Sequence, residues 1–180
     1  MSLIKKLFVL AVIMSALFIV GCSKDSENPV KPGDGGNGGN GGGNNSQSTI
    51  TINGAGYTNK QIGSNSGVGV YIAPEQMAYV AFWAVSGSDS LTASITIPGT
   101  TTGTYSWVNA EQGLYFSTGT SQNARVFYPT GDGATIITEF GNVGGKIVGT
   151  LQGKVFDVVS GDTADVFASF SVLRAADEIE

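Results

Sequence analysis

Along much of this chain apolar and polar residues alternate one by one, a period that puts successive side chains on opposite faces of a strand and that no amphipathic helix can use. Leu91-Thr92-Ala93-Ser94-Ile95-Thr96-Ile97 alternates without a break and runs into Pro98-Gly99, a turn signal. Ile147, Gly149, Leu151, Gly153 and Val155 share one side of a second run, with Thr150, Gln152 and Lys154 on the other. In a third, Val166, Ala168, Phe170 and Val172 alternate with Ser169 and Ser171. The same reading predicts strands at 49–53, 67–73, 77–85, 114–118, 124–128 and 134–140, giving nine together with the three runs above. Short turn segments separate them, among them Ala73-Pro74-Glu75, Thr130-Gly131-Asp132-Gly133, Gly141-Asn142-Val143-Gly144-Gly145 and Ser160-Gly161-Asp162-Thr163. Their Gly, Asn and Asp residues supply positive φ or local side-chain hydrogen bonds. The expected fold is therefore all-β: an antiparallel two-sheet sandwich, immunoglobulin-like or jelly-roll-like, with a small closed barrel as the alternative.

Two strands carry further information. In 147–155 the glycines Gly149 and Gly153 fall on the apolar side, leaving gaps for rings such as Phe82, Trp83, Phe116 or Phe170. The run Met77-Ala78-Tyr79-Val80-Ala81-Phe82-Trp83-Ala84-Val85 is apolar on both faces, although a two-layer sandwich covers only one. Its outer face calls for a cover, either neighbouring parts of the chain or a partner.

Ahead of the strands lies a different kind of sequence. Lys5 and Lys6 precede an apolar run, Leu7 to Val20, which is shorter than the roughly 20 residues a membrane-spanning helix needs. It closes on Ile19-Val20-Gly21-Cys22, a small residue followed by cysteine, the pattern of a lipoprotein signal peptide whose thiol takes a diacylglyceryl group. The organisation expected is a signal peptide at 1–21, a lipidated Cys22 with a flexible linker at 22–48, a β-sandwich domain at 49–176 and a frayed tail at 177–180. Cys22 is the single cysteine, so no disulfide can form within the chain. Acyl chains on Cys22, at about 0.8 kcal/mol per buried methylene, would hold the protein on a membrane without a transmembrane helix. No aspartate directly follows Cys22, which favours the outer membrane, and Lys24-Asp25-Ser26-Glu27 resembles signals that carry some lipoproteins to the outer face. A generic polar start to the linker is the other reading of that run. Between 28 and 48 the chain is Gly- and Asn-rich, too poor in apolar surface to offset its ordering entropy. Such a segment behaves as a tether of about 25 Å average reach and roughly 70 Å at full extension.

Charge narrows the partners. Cleavage before Cys22 removes Lys5 and Lys6 from nine basic residues and leaves all fourteen acidic ones, shifting the formal charge from −5 to −7. The remaining basic residues are widely spaced, which disfavours nucleic acid and anionic headgroups. The expected contacts are the membrane, through lipid at Cys22, and an envelope polysaccharide or protein.

The residues Gly103-Thr104-Tyr105, Ile136-Ile137-Thr138-Glu139-Phe140, Gly144-Gly145-Lys146-Ile147-Val148-Gly149-Thr150-Leu151-Gln152-Gly153-Lys154-Val155 and Phe167-Ala168-Ser169-Phe170-Ser171-Val172 resemble a group of Gram-negative envelope lipoproteins with a β-sandwich domain. The resemblance covers roughly the last 85 residues, with Leu151 standing where the group usually has Phe. It implies the fold and an envelope location, and it carries over no activity and no catalytic residue.

Chemistry is bounded by missing residues. The chain has no histidine, and Cys22 is committed to lipid, which excludes Ser-His-Asp and Cys-His catalysis and His- or Cys-ligated zinc. Two carboxylates suffice for a glycosidase, and the acids available are Glu75, Asp89, Glu111, Asp132, Glu139, Asp157, Asp162 and Asp165, most of them in turns. A calcium ion near Asp162 and Asp165 is conceivable on chemistry, but the spacing is not that of an EF-hand loop. Aromatic residues offer a better lead. Tyr57, Tyr71, Tyr79, Trp83, Tyr105, Trp107, Tyr115 and Tyr128 include candidates for an exposed ring on which a sugar stacks, with Tyr79, Trp83 and Trp107 preferred. The expectation is a binding or scaffolding lipoprotein that is not an enzyme and needs no cofactor or metal; the rival is a surface carbohydrate-active hydrolase.

Overall fold

The alternating runs pair into ten strands in a computed structural model that describes residues 47–86, 89–108, 113–119 and 124–178. The leader, Cys22 and the linker up to residue 46 lie outside the described residues. In chain order the strands are β1 (Gln47–Gly54), β2 (Tyr57–Ser64), β3 (Ser66–Ile72), β4 (Met77–Ser86), β5 (Asp89–Pro98), β6 (Gly103–Ser106), β7 (Gly113–Thr118), β8 (Arg125–Phe140), β9 (Lys146–Asp157) and β10 (Thr163–Arg174). One 3-10 turn, Ala73–Glu75, joins β3 to β4.

The strands form two layers, as expected of a sandwich-like all-β fold. One layer runs β2-β1-β10-β9 and continues into the second half of β8 and then β6. The other runs β3-β4-β5-β7 and ends on the first half of β8. The layers share their margins. β8 passes from one to the other, and Leu173 and Arg174 at the end of β10 pair with Val68 and Gly69 of β3, so the hydrogen-bonded path closes through seven strands. This last pairing is parallel, whereas every other strand pair is antiparallel.

Inward residues of both layers make one core. Ile50 and Ile52 of β1, Val80 and Phe82 of β4, Ile95 and Ile97 of β5, Ile147 and Leu151 of β9 and Phe170 and Val172 of β10 are all buried, as the alternation requires. Gly149 faces the ring of Phe170, where an added Cβ would stand 2.7 Å from Cζ. Gly153 faces a ring other than those expected: Trp107 lies against Gly113, Gly133 and Gly153 and donates from Nε1 to the Thr135 hydroxyl at 2.9 Å.

Several expectations need correction. Thr130-Gly131-Asp132-Gly133 does not end a strand. Pro129 pairs with Val155 and Gly133 with Gly153 of the same β9, so the residues between them form a bulge inside one long, bent β8. Gly131 takes φ +93° there, and Pro129 sits at the break in the ladder, where its missing N–H costs nothing. Two strands escaped prediction. β2 has only Tyr57 and Ile62 as large apolar residues, and it forms because Gly54, Ala55 and Gly56, all with positive φ, fold it back on β1. β6 is four residues long and pairs with β8 alone. The tail expected to fray from 177 is tied at its start: the Glu178 amide donates to the Tyr71 carbonyl, the Ala73 amide donates to the Glu178 carbonyl, and Arg174 binds Asp177 at 2.8 Å.

Candidate functional site

The outer faces of the two layers differ in chemistry, and cross-strand register defines each. Where the layers join at the first half of β8, Phe156 of β9 stands opposite Tyr128 of β8, whose ring meets Tyr115 of β7 edge-on at 5.1 Å. Tyr115 is opposite Ser94 of β5, Ser94 opposite Ala81 of β4, and Ala81 opposite Val68 of β3. A neighbouring row begins at Val126 and runs through Ser117 and Thr92 to Trp83. Tyr128 and Phe156 remain 40% and 36% exposed, which for rings on the outside of a sheet leaves an apolar surface open to solvent.

The three aromatic residues preferred on sequence grounds part company here. Tyr79 and Trp83 lie on this outer face of β4, half-buried, with the Tyr79 hydroxyl donating to Glu75 Oε2 at 2.7 Å. The short Thr92 and Ser94 separate them from the Tyr115–Tyr128–Phe156 row. Trp107 is only 1% exposed and belongs to the core, so it cannot serve as a contact surface. Its burial follows from the three glycines around it, two of which, Gly133 and Gly153, lie far from it in sequence. Phe156 was missed because the strand was expected to stop at 155; continuing the alternation past Val155 turns it outward. On the outer face of the run that is apolar on both faces, Ala81 and Tyr79 stand beside Val68 and Val70 of β3.

The layer containing β1 and β10 presents a different outer face. One row across six strands reads Gly63, Thr49, Ser169, Thr150, Ile136 and Thr104. The next reads Gln61, Thr51, Phe167, Gln152, Ala134 and Ser106. Neither row contains a charge. A shallow groove of about 380 Å³ crosses this face, lined in part by Gln47, Thr49, Thr138, Thr150, Ser169 and Ser171.

The acids fall into structural roles where their contacts are described. Asp157 is 2% exposed, and its Oδ2 takes Arg125 Nε and Nη2, each at 2.6 Å. Its Oδ1 accepts from the amides of Val159 and Ser160 at 2.8 and 3.4 Å. Burial alone would raise its pKa, but the Val159 amide, the Arg125 guanidinium and the Ser160 amide outweigh it and hold the carboxyl below its ordinary value. Arg125 also lies over the rings of Tyr57 and Phe127 at 5.1 and 5.3 Å and donates to the Ala55 carbonyl. This cluster ties the β9–β10 turn to the β1–β2 turn. Asp165 binds Lys154 Nζ at 2.6 Å on the surface, and this hydrogen bond is the main cause of a raised Lys154 pKa. Among the described residues no three His, Cys, Asp or Glu side chains gather as metal ligands. Glu111 and the side chain of Asp89 lie outside the described residues.

Compared with known protein families, with curated proteins and with solved structures, the chain matches none.

Proposed function

We propose that this chain is an outer-membrane lipoprotein, anchored through lipid at Cys22, whose β-sandwich binds or scaffolds a component of the cell envelope. The observation that carries the binding role is the exposed pair Phe156 and Tyr128, with the half-buried Tyr115 against Tyr128 and the exposed Val126 beside them. Large apolar groups left open on a folded surface lose the burial free energy of about 25 cal/mol per Å² that a partner would supply. The resemblance to Gram-negative envelope lipoproteins belongs to the same proposal, as does the tether that would let the domain search the space around its anchor. The rival, a carbohydrate-active hydrolase, would require a desolvated carboxyl with a raised pKa to act as general acid. Among the described residues the buried carboxylate is Asp157, and Arg125 and two amides hold its pKa low, which does not suit that general acid.

The test uses the chain from residue 23 onward, free of lipid, and isolated cell envelopes of the source organism. The wild-type chain should sediment with the envelopes, and the double change Tyr128→Ser with Phe156→Ser should reduce retention at least tenfold while leaving the unfolding transition intact. Equal retention of the folded double variant would overturn the role of this face.

A further inference from the structure

The polar face poses a separate question. Sheet surfaces left to water usually carry charged side chains, since about a quarter of the residues of a typical soluble domain are Lys, Arg, Glu or Asp and these are mostly exposed. Here two adjacent rows across six strands carry none, and Phe167 stands among them with 51% of its surface exposed. Ile136, opposite Thr150, is 43% exposed. Among the described residues, no hydrogen bond engages the side-chain hydroxyls of Thr49, Thr150 or Ser169, which meet in one row beside the groove. Charges border the two rows on both sides: Lys154 with Asp165 one row beyond Gln152 and Phe167, and Glu139, opposite Val148 of the groove, one row beyond Thr150.

The chemistry of the rows identifies what fits them. Hydroxyls both donate and accept, and Gln152 adds an amide that does the same, so the face complements a ligand that presents hydroxyl groups in both roles. An exposed ring gives the C–H face of a sugar an apolar seat. The shallow groove is lined by Thr49, Thr150 and Ser169, and Phe167 and Gln152 stand in the adjoining row outside it. Protein interfaces deplete Ser at their centres, and here Ser169 and Ser106 stand in the two rows beside Thr49, Thr51, Thr150 and Thr104. Nucleic acid would demand Lys and Arg. We infer that the outer face of the β1–β10–β9–β8 layer is a binding site for a neutral glycan, with Phe167 as the stacking ring and Thr49, Ser169, Thr150 and Gln152 as its hydrogen-bonding groups.

This site lies on other rows than the Phe156–Tyr128–Tyr115 cluster, with the Lys154–Asp165 row between them on β9 and β10, so the two are tested separately. The lipidated full chain in detergent is run through native gels containing a neutral glucan, xylan or mannan, or the anionic polysaccharide alginate. At least one neutral polysaccharide should retard the protein, and alginate should not. Phe167→Ala and Gln152→Glu should each weaken that retardation at least tenfold, since the first removes the ring and the second brings a charge into the row. Tyr128→Ser with Phe156→Ser should leave it unchanged. Absence of retardation by every neutral polysaccharide, stronger retardation by alginate, or retardation that survives both Phe167→Ala and Gln152→Glu would overturn the inference. Loss of retardation in the Tyr128/Phe156 variant alone would also overturn it, by moving the site to the aromatic cluster.

Discussion

Gly153 shows how a residue without a side chain decides where a large one goes. A Cβ there would stand 2.6 Å from the Asp132 carbonyl oxygen and would also run into Trp107, and Gly133 has a similar relation to the same indole. Gly153→Ala should therefore cost about 1 to 3 kcal/mol by overpacking, and denaturant midpoints at unchanged slope would check it. A loss under about 0.5 kcal/mol would mean that Trp107 can move aside. Asp157 and Arg125 give a second case. Arg125→Leu strands a carboxylate that is 2% exposed and should cost roughly 3 kcal/mol, whereas Asp157→Asn leaves a guanidinium that is 29% exposed and still rests on two rings, so it should cost less. The Asp157 pKa is lowered by folding, so its contribution is fully present above the unfolded value of about 4 and is lost as pH falls through the lower folded value. Acid titration of stability should show that loss below about pH 4 in the wild type and a shallower one in Asp157→Asn.

The strands test the alternation directly. Phe170 is buried in β10, and its replacement by Ala should cost roughly 3 to 5 kcal/mol; Gln152 points out from β9, and Gln152→Ser should stay within about 0.5 kcal/mol. Comparable losses at both positions would contradict the inward and outward assignment. Thr96 shows where that assignment is too simple. It points outward opposite Tyr79, as alternation demands, yet it is buried by its neighbours on that face. What could be read from the sequence was the set of strands in which apolar residues alternate, because burial on one face writes that period into the residues themselves. β2 and β6 left almost no such mark: each has a neighbour on one side only, and polar residues suit an edge. The β8 bulge was read as a hairpin turn since Gly-Asp-Gly serves either purpose locally, and only pairing of both flanks with β9 separates the two. The same limit applies to the surface rows. Tyr79 and Trp83 were legible only as members of a strand apolar on both faces, and Tyr115, Tyr128 and Phe156 become neighbours only through the register of three strands.

For the molecule as a whole, the closed hydrogen-bonded path leaves few strand edges open, and two outer faces of contrasting chemistry, one aromatic and one rich in hydroxyls, remain available on one domain. A long polar tether would allow either face to reach a partner without a fixed orientation on the membrane. The proposal depends first on how the chain is held at the envelope, and intact-mass spectrometry of the protein extracted from outer membranes reads this without intermediaries. The mature chain should begin at Cys22 and carry the mass of a diacylglyceryl thioether with an amide-linked acyl chain. An unmodified Cys22, or a first residue elsewhere, would contradict the lipid anchor and the envelope role built on it.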